Sequence, residues 1–176
     1  MYHPNTSEYP PYFYRYIKLV PDEDIVFVLE EQLEKTVRLL DSFSEEVSRF
    51  RYAKDKWSIK EVIGHIIDTE RIFSYRALRF ARNDPAHLHG FDQDTYVQAS
   101  GYNDRALVDI RDEYMTVRNA TISLIRSFDE ESLQRVGKTS DYSISVRSIP
   151  FILAGHEIHH RSVIENLYLN RSSSQL

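Results

Sequence analysis

A chain of 176 residues with 41% hydrophobic side chains is long enough to bury one substantial core and is expected to fold as a single domain. Its net charge of −5, with acidic and basic residues interspersed, offers no basic stripe and argues against nucleic acid as a partner. With no cysteine, disulfides, thiolate zinc sites and a catalytic thiol are excluded, so any metal must be held by nitrogen or oxygen.

The start Met1-Tyr2-His3-Pro4 has no basic segment leading into an apolar run, and no stretch reaches the roughly eighteen apolar residues of a membrane span. A cytoplasmic protein without a membrane partner is expected. Residues 1–21 gather Tyr2, Tyr9, Tyr12, Tyr14 and Tyr16 among Pro4, Pro10 and Pro11, with no helical period, and read as an extended arm packed on the rest. Beyond the arm, glycine and proline are sparse and apolar residues recur at three and four. This predicts an all-α fold with four long helices within residues 22–170, followed by a flexible Ser-rich tail, 171–176.

The first helix is expected over residues 22–43, with Ile25, Val28, Leu29, Leu33 and Leu40 on one face and the polar Gln32 and Thr36 inside that stripe. The second runs over 58–82. Ser58-Ile59-Lys60-Glu61 supplies a capping box for its start, and His65 shares its inner face with Val62, Thr69 and Ile72. Glu61, Asp68 and Arg76 lie within about 60° of His65 around that helix. The connection 83–103, which contains Gly90-Phe91-Asp92-Gln93-Asp94, exceeds ordinary loop length and is expected to cross the bundle or cover a site. The third helix is predicted over 104–128, burying Leu107, Ile110, Tyr114, Thr121 and Ile125. Residues 129–143 read as one extra helical turn and a polar loop. The fourth helix starts at Ser145 or Ser148 and runs to 170; Pro150 sits harmlessly in the first turn if Ser148 caps it and kinks the helix if Ser145 does.

The fourth helix carries His156 and His160, one turn apart and about 40° from each other, so both imidazoles can reach one ion. That spacing alone is weak evidence. Its surroundings strengthen it: Ile149, Leu153, Val163 and Leu167 lie within about 80° on the same side, so both histidines face inward. His65 is the natural third ligand. A single inward histidine is usually a hydrogen-bonded core residue, but three on two helices with carboxylates nearby point to a metal. Three neutral imidazoles leave a coordination position open, as in catalytic centres, and suit Zn²⁺ first, with Ni²⁺, Co²⁺ or Fe²⁺ as alternatives. Glu61 and Asp68 are the candidate catalytic residues, orienting His65 or accepting a proton; the alternative is a surface salt bridge. Gln32, Thr36, Tyr114 and Arg118 are candidate pocket residues on the other helices.

His156-Glu157-Ile158-His159-His160 also fits the His-Glu-x-x-His pattern of zinc proteases, with Glu157 as general base. The longer pattern fails, because Val163 stands where glycine is required and Asn166 where a third histidine is required. A protease also needs an edge strand for its substrate, and none is expected. His159 is placed facing outward.

The stretches Trp57 to Glu61, Gly64 to Glu70, Gly90 to Asp94, Ser145-Val146-Arg147 and Ala154 to Arg161 together resemble the DinB/YfiT-like superfamily. The resemblance implies a four-helix bundle with long crossover connections, frequent homodimers, and a divalent ion on His65, His156 and His160. Relatives include bacillithiol S-transferases and mycothiol-dependent isomerases, and many members are described as metal-dependent hydrolases. The expected function is a metal-dependent enzyme that activates a low-molecular-weight thiol against a small electrophilic substrate. A hydrolase using metal-bound water is the alternative, and a non-catalytic metal-containing dimeric stress-response module is the second.

Overall fold

The computed structural model describes residues 1–139 and 141–169, so the expected tail at 171–176 and the predicted end of the last helix at 170 lie outside the described residues. Eight α-helices are present among them: α1 (Tyr14–Ile17), α2 (Ile25–Asp41), α3 (Glu45–Ser48), α4 (Ile59–Ala81), α5 (Gln93–Ser100), α6 (Leu107–Arg126), α7 (Glu130–Gln134) and α8 (Ser148–Val163). A two-stranded antiparallel hairpin, β1 (Val136–Lys138) and β2 (Ser143–Ser145), lies between α7 and α8. No helix among the described residues is long and apolar enough to cross a membrane.

The four long helices form a bundle whose packing order differs from their chain order. Helix α2 packs against α6 and α8, and α4 packs against the same two, so α2 lies diagonally across from α4 and α6 across from α8. Two of the three connections therefore cross the bundle, as expected of long crossovers. Local chemistry fixes the helix ends. Asp24 caps α2 by accepting from the Val26 and Phe27 amides. Ser58 and Glu61 form the predicted capping box at the start of α4. At α8 the Ser145 side chain accepts from the Ser148 amide, and Pro150 sits in the first turn, where its missing N–H costs no helical bond. Past Val163 the chain widens into a π-helical turn, Ile164–Leu169, in place of the regular helix expected there.

The arm departs from the extended expectation. It folds into 3₁₀ turns at Thr6–Glu8 and Pro11–Phe13 and then α1, placing Tyr9, Phe13, Tyr16 and Ile17 in the core. Prolines start one of these turns and break any longer period, which hid them from a periodicity reading. Helix α1 packs directly on α8. That contact requires Gly155, because a Cβ there would lie 2.1 Å from the Tyr16 carbonyl oxygen. Gly155→Ala is expected to cost about 1–3 kcal/mol of stability by forcing the arm away from α8; thermal and urea denaturation check this.

The apolar core divides into two clusters. One joins the arm, the N-terminal half of α2 and the C-terminal half of α4; the other joins Leu40, the N-terminal halves of α4 and α6, and Ile164 and Tyr168. Between them lies a buried polar layer of Gln32, Thr36, Glu70, Arg118 and Glu157. Arg118 forks onto Glu70 through Nε and Nη2, both at 2.8 Å, and Nη2 also donates to Glu157. Thr36 (2.6 Å) and Tyr114 (3.0 Å) donate to the other Glu157 oxygen, and Gln32 donates to the Ala154 carbonyl at 3.1 Å. The four residues expected to line a pocket are thus spent on this layer, which explains the two polar side chains inside the α2 stripe.

Candidate metal centre

His65 from α4 and His156 and His160 from α8 converge beside the polar layer, with one ligand nitrogen from each within 4.8 Å of the others. Nε2 of His156 lies 3.0 Å from Nε2 of His65 and 3.1 Å from Nε2 of His160. An imidazole nitrogen offers either one N–H or one lone pair in the ring plane, so a single nitrogen facing two others does not satisfy both by hydrogen bonding. A cation at their common focus does. Tetrahedral Zn–N bonds of about 2.0–2.1 Å set ligand nitrogens about 3.3 Å apart, close to the spacing found. Burial pushes His65 down to about 4 and His160 down to about 3, and it holds His156 well below the ordinary imidazole value, with the neighbouring imidazoles adding to the effect. All three rings are therefore neutral at pH 7 and free to ligate.

Aromatic rings frame the cluster. Trp57 packs on His65 with centroids 4.9 Å apart, and Tyr16 meets His156 edge-on at 5.3 Å. The participation of Tyr16 and the arm was invisible to spacing arguments, since no pattern ties residue 16 to residue 156. His159 is exposed, as expected, and its ring lies against Tyr16 and His160 outside the group of three. Glu157, one residue and about 100° beyond His156, points into the polar layer instead of at the imidazoles. That orientation removes the protease reading. The β1–β2 hairpin does supply strands that were not expected, each three residues long.

Glu61 and Asp68 are engaged with other partners. Glu61 accepts from the Ser58 amide at 2.7 Å, from Asn103 at 2.6 Å and from Arg51 at 2.8 Å. Asp68 accepts from the Tyr102 hydroxyl at 3.2 Å and lies 4.0 Å from Arg71; burial raises its carboxyl above the ordinary value. Neither carboxylate hydrogen-bonds His65 among the described residues.

Two cavities border the imidazoles. The first, about 380 Å³, is lined by His65 and His156 together with the arm residues Phe13 and Tyr16, and by Phe73 and Arg76 further along α4. The second, about 310 Å³, is lined by His159, His160, Trp57 and Tyr52. Gln93, at the start of α5, borders both. The long 83–103 connection therefore does cover the site: Gly90 to Gln93 wall the first cavity and Gln93 and Asp94 the second.

Comparison with known proteins gives the same fold. The model of the DinB superfamily matches residues 29–164. YfiT from Bacillus subtilis, described as a probable metal-dependent hydrolase with an unusual four-helix bundle topology, superposes with a TM-score of 0.76 at 15% identity, over 97% of this chain and 94% of that one. A DinB-like protein from Bacillus subtilis gives 0.61 at 17% identity, over 88% and 94%. The mycothiol-dependent maleylpyruvate isomerase gives 0.66 at 9% identity, over 82% of this chain and 61% of that one. At such identities the likeness is one of fold. No curated protein gives a significant sequence match.

Proposed function

This chain belongs to the DinB superfamily, and on that premise we propose that it is a metal-dependent enzyme transferring a low-molecular-weight thiol to a small electrophilic substrate. The convergence of three neutral imidazoles from α4 and α8 carries the metal assignment. His65, His156 and His160 would hold the ion, with zinc the best match to an all-nitrogen donor set and nickel the alternative. When bound, such an ion lowers the pKa of a coordinated thiol or water towards neutrality.

The two cavities support a reaction of two substrates, one room for the thiol and one for its acceptor, meeting at the histidines. Phe13, Tyr16 and Phe91 wall the first room with apolar surface and exclude water from the reacting centre. The Gln93 amide, bordering both rooms, is placed to orient either substrate. We assign Glu61 and Asp68 positioning roles on the same helix: Glu61 holds the N-terminus of α4, and Asp68 fixes Tyr102. Tyr102 in turn packs against Gly64 so closely that a Cβ there would lie 2.1 Å from its ring. This sets the height of His65.

Hydrolysis is the second reading, favoured by the described character of YfiT. A panel of epoxides, activated esters and amides, assayed with and without a thiol such as cysteine or glutathione, separates the two. Turnover is expected only when thiol is present. Ester or amide cleavage that proceeds at the same rate without thiol would overturn the transferase reading.

A further inference from the structure

Among the polar groups that line the first cavity, Thr69 and Arg76 are buried on α4 and are used by neither the metal nor the polar layer. His65, Thr69, Phe73 and Arg76 follow one another along the face of α4 that lines it. The Thr69 hydroxyl is buried and has no hydrogen-bond partner among the described residues. Arg76 is 3% exposed, yet no carboxylate among the described residues is paired with it. Its Nη1 donates to the Tyr142 hydroxyl at 3.0 Å and its Nη2 to the His89 carbonyl at 2.8 Å, both neutral acceptors, and its Cζ lies 4.9 Å from the Phe73 ring centroid. A guanidinium carries five N–H donors, so several remain available. A buried charge without a counter-ion is costly, in contrast to Arg118, which has two carboxylates.

We propose that Arg76 forms the subsite for an anionic end of the substrate, a carboxylate joined to an apolar body. The guanidinium supplies the missing charge partner, Phe13, Phe73 and Phe91 contact the body, and the Thr69 hydroxyl, one turn from His65, supplies a donor nearer the reacting end. Helical rise places the Cα atoms of His65 and Arg76 about 16 Å apart, so the anionic end and the reacting end belong to opposite ends of an elongated molecule. Asp92 and Asp141, exposed on the same cavity, disfavour a dianion such as a phosphate monoester and leave the monoanionic carboxylate as the better fit. The assignment deepens the enzyme reading by naming its substrate class, while the subsite itself does not depend on the ion.

The test is calorimetric titration with 4-phenylbutyrate, its neutral amide 4-phenylbutyramide, and 4-phenylbutyl phosphate. It is run on metal-loaded protein and again after chelation, which removes direct binding of a carboxylate to the ion. Wild-type protein is expected to bind the carboxylate about tenfold more tightly than the amide in both states. Arg76→Met is expected to abolish that preference and leave metal content unchanged, whereas Arg76→Lys retains part of it. Equal affinities for carboxylate and amide in chelated wild-type protein, or a phosphate that binds more tightly than the carboxylate, would overturn the proposal. So would a preference that survives Arg76→Met. Metal content, recorded on every sample, separately decides the metal-centre reading.

Discussion

Alanine at position 156 is expected to strip the protein of its divalent ion. His156 is the nitrogen common to both short contacts in the cluster, so its loss leaves two imidazoles on different helices with no third to close the set. Loss of an outer-shell partner costs roughly 10–100-fold in metal affinity, so removal of a ligand is expected to exceed 100-fold. Because the ion binds only the folded chain, the loss also removes stabilisation, about 4 kcal/mol when free metal stands at a thousand times Kd. Metal analysis after exhaustive dialysis and thermal denaturation with and without added Zn²⁺ read both effects. His159→Ala is the control: its ring lies outside the group of three, and metal content near one ion per chain is expected. A His156→Ala protein that keeps its ion, or a His159→Ala protein that loses it, would mean that other residues bind the metal.

The second large effect is expected at Arg118, whose fully buried guanidinium holds Glu70 and Glu157 together. Methionine there leaves two buried carboxylates facing each other without a counter-charge, and breaking such a network by removing one partner costs about 3–5 kcal/mol. The midpoint of urea denaturation gives the value. Combining Arg118→Met with Glu70→Gln and Glu157→Gln is expected to recover part of the loss, since no uncompensated charge then remains. A single Arg118→Met change that costs under about 1 kcal/mol would show that the network contributes little. The network also touches the site, because Glu157 adjoins His156 on α8 and Gln32 bonds the carbonyl of Ala154 two residues before His156.

The residues legible in the sequence are those whose geometry repeats along one helix. The apolar periodicity of α2, α4, α6 and α8 and the Ser58–Glu61 box located these helices to within a few residues, except at the end of α8, where a π-helical turn follows Val163, and the shared face of His156, His160 and Leu153 predicted that both imidazoles point inward. The contacts that spacing missed all depend on which helices oppose one another. Gln32 and Thr36 stand out in the sequence as polar groups inside the α2 stripe, and with Tyr114 and Arg118 they read as pocket residues. The structure instead sets Thr36, Tyr114 and Arg118 on Glu157 and Gln32 on the Ala154 carbonyl, contacts that depend on α8 packing against α2. The 100° between Glu157 and His156 is common to every His-Glu-x-x-His helix, so it carried no sign of the buried network. The arm offered no period at all, so the short turns that deliver Phe13 and Tyr16 to the cavity had no local signature beyond the density of tyrosine and proline. The β1–β2 hairpin, three residues to a strand, is too short for alternation to register.

X-ray absorption at the metal edge, on protein purified without an affinity tag or a metal column, tests the central claim most directly. The expected spectrum is that of one divalent ion per chain with three imidazole nitrogens at about 2.0–2.1 Å and a light-atom fourth ligand that is replaced by sulfur when thiol is added. Protein that carries no ion and takes up none from stoichiometric Zn²⁺ or Ni²⁺, or an ion whose imidazole scattering is unaltered in His65→Ala, would contradict it.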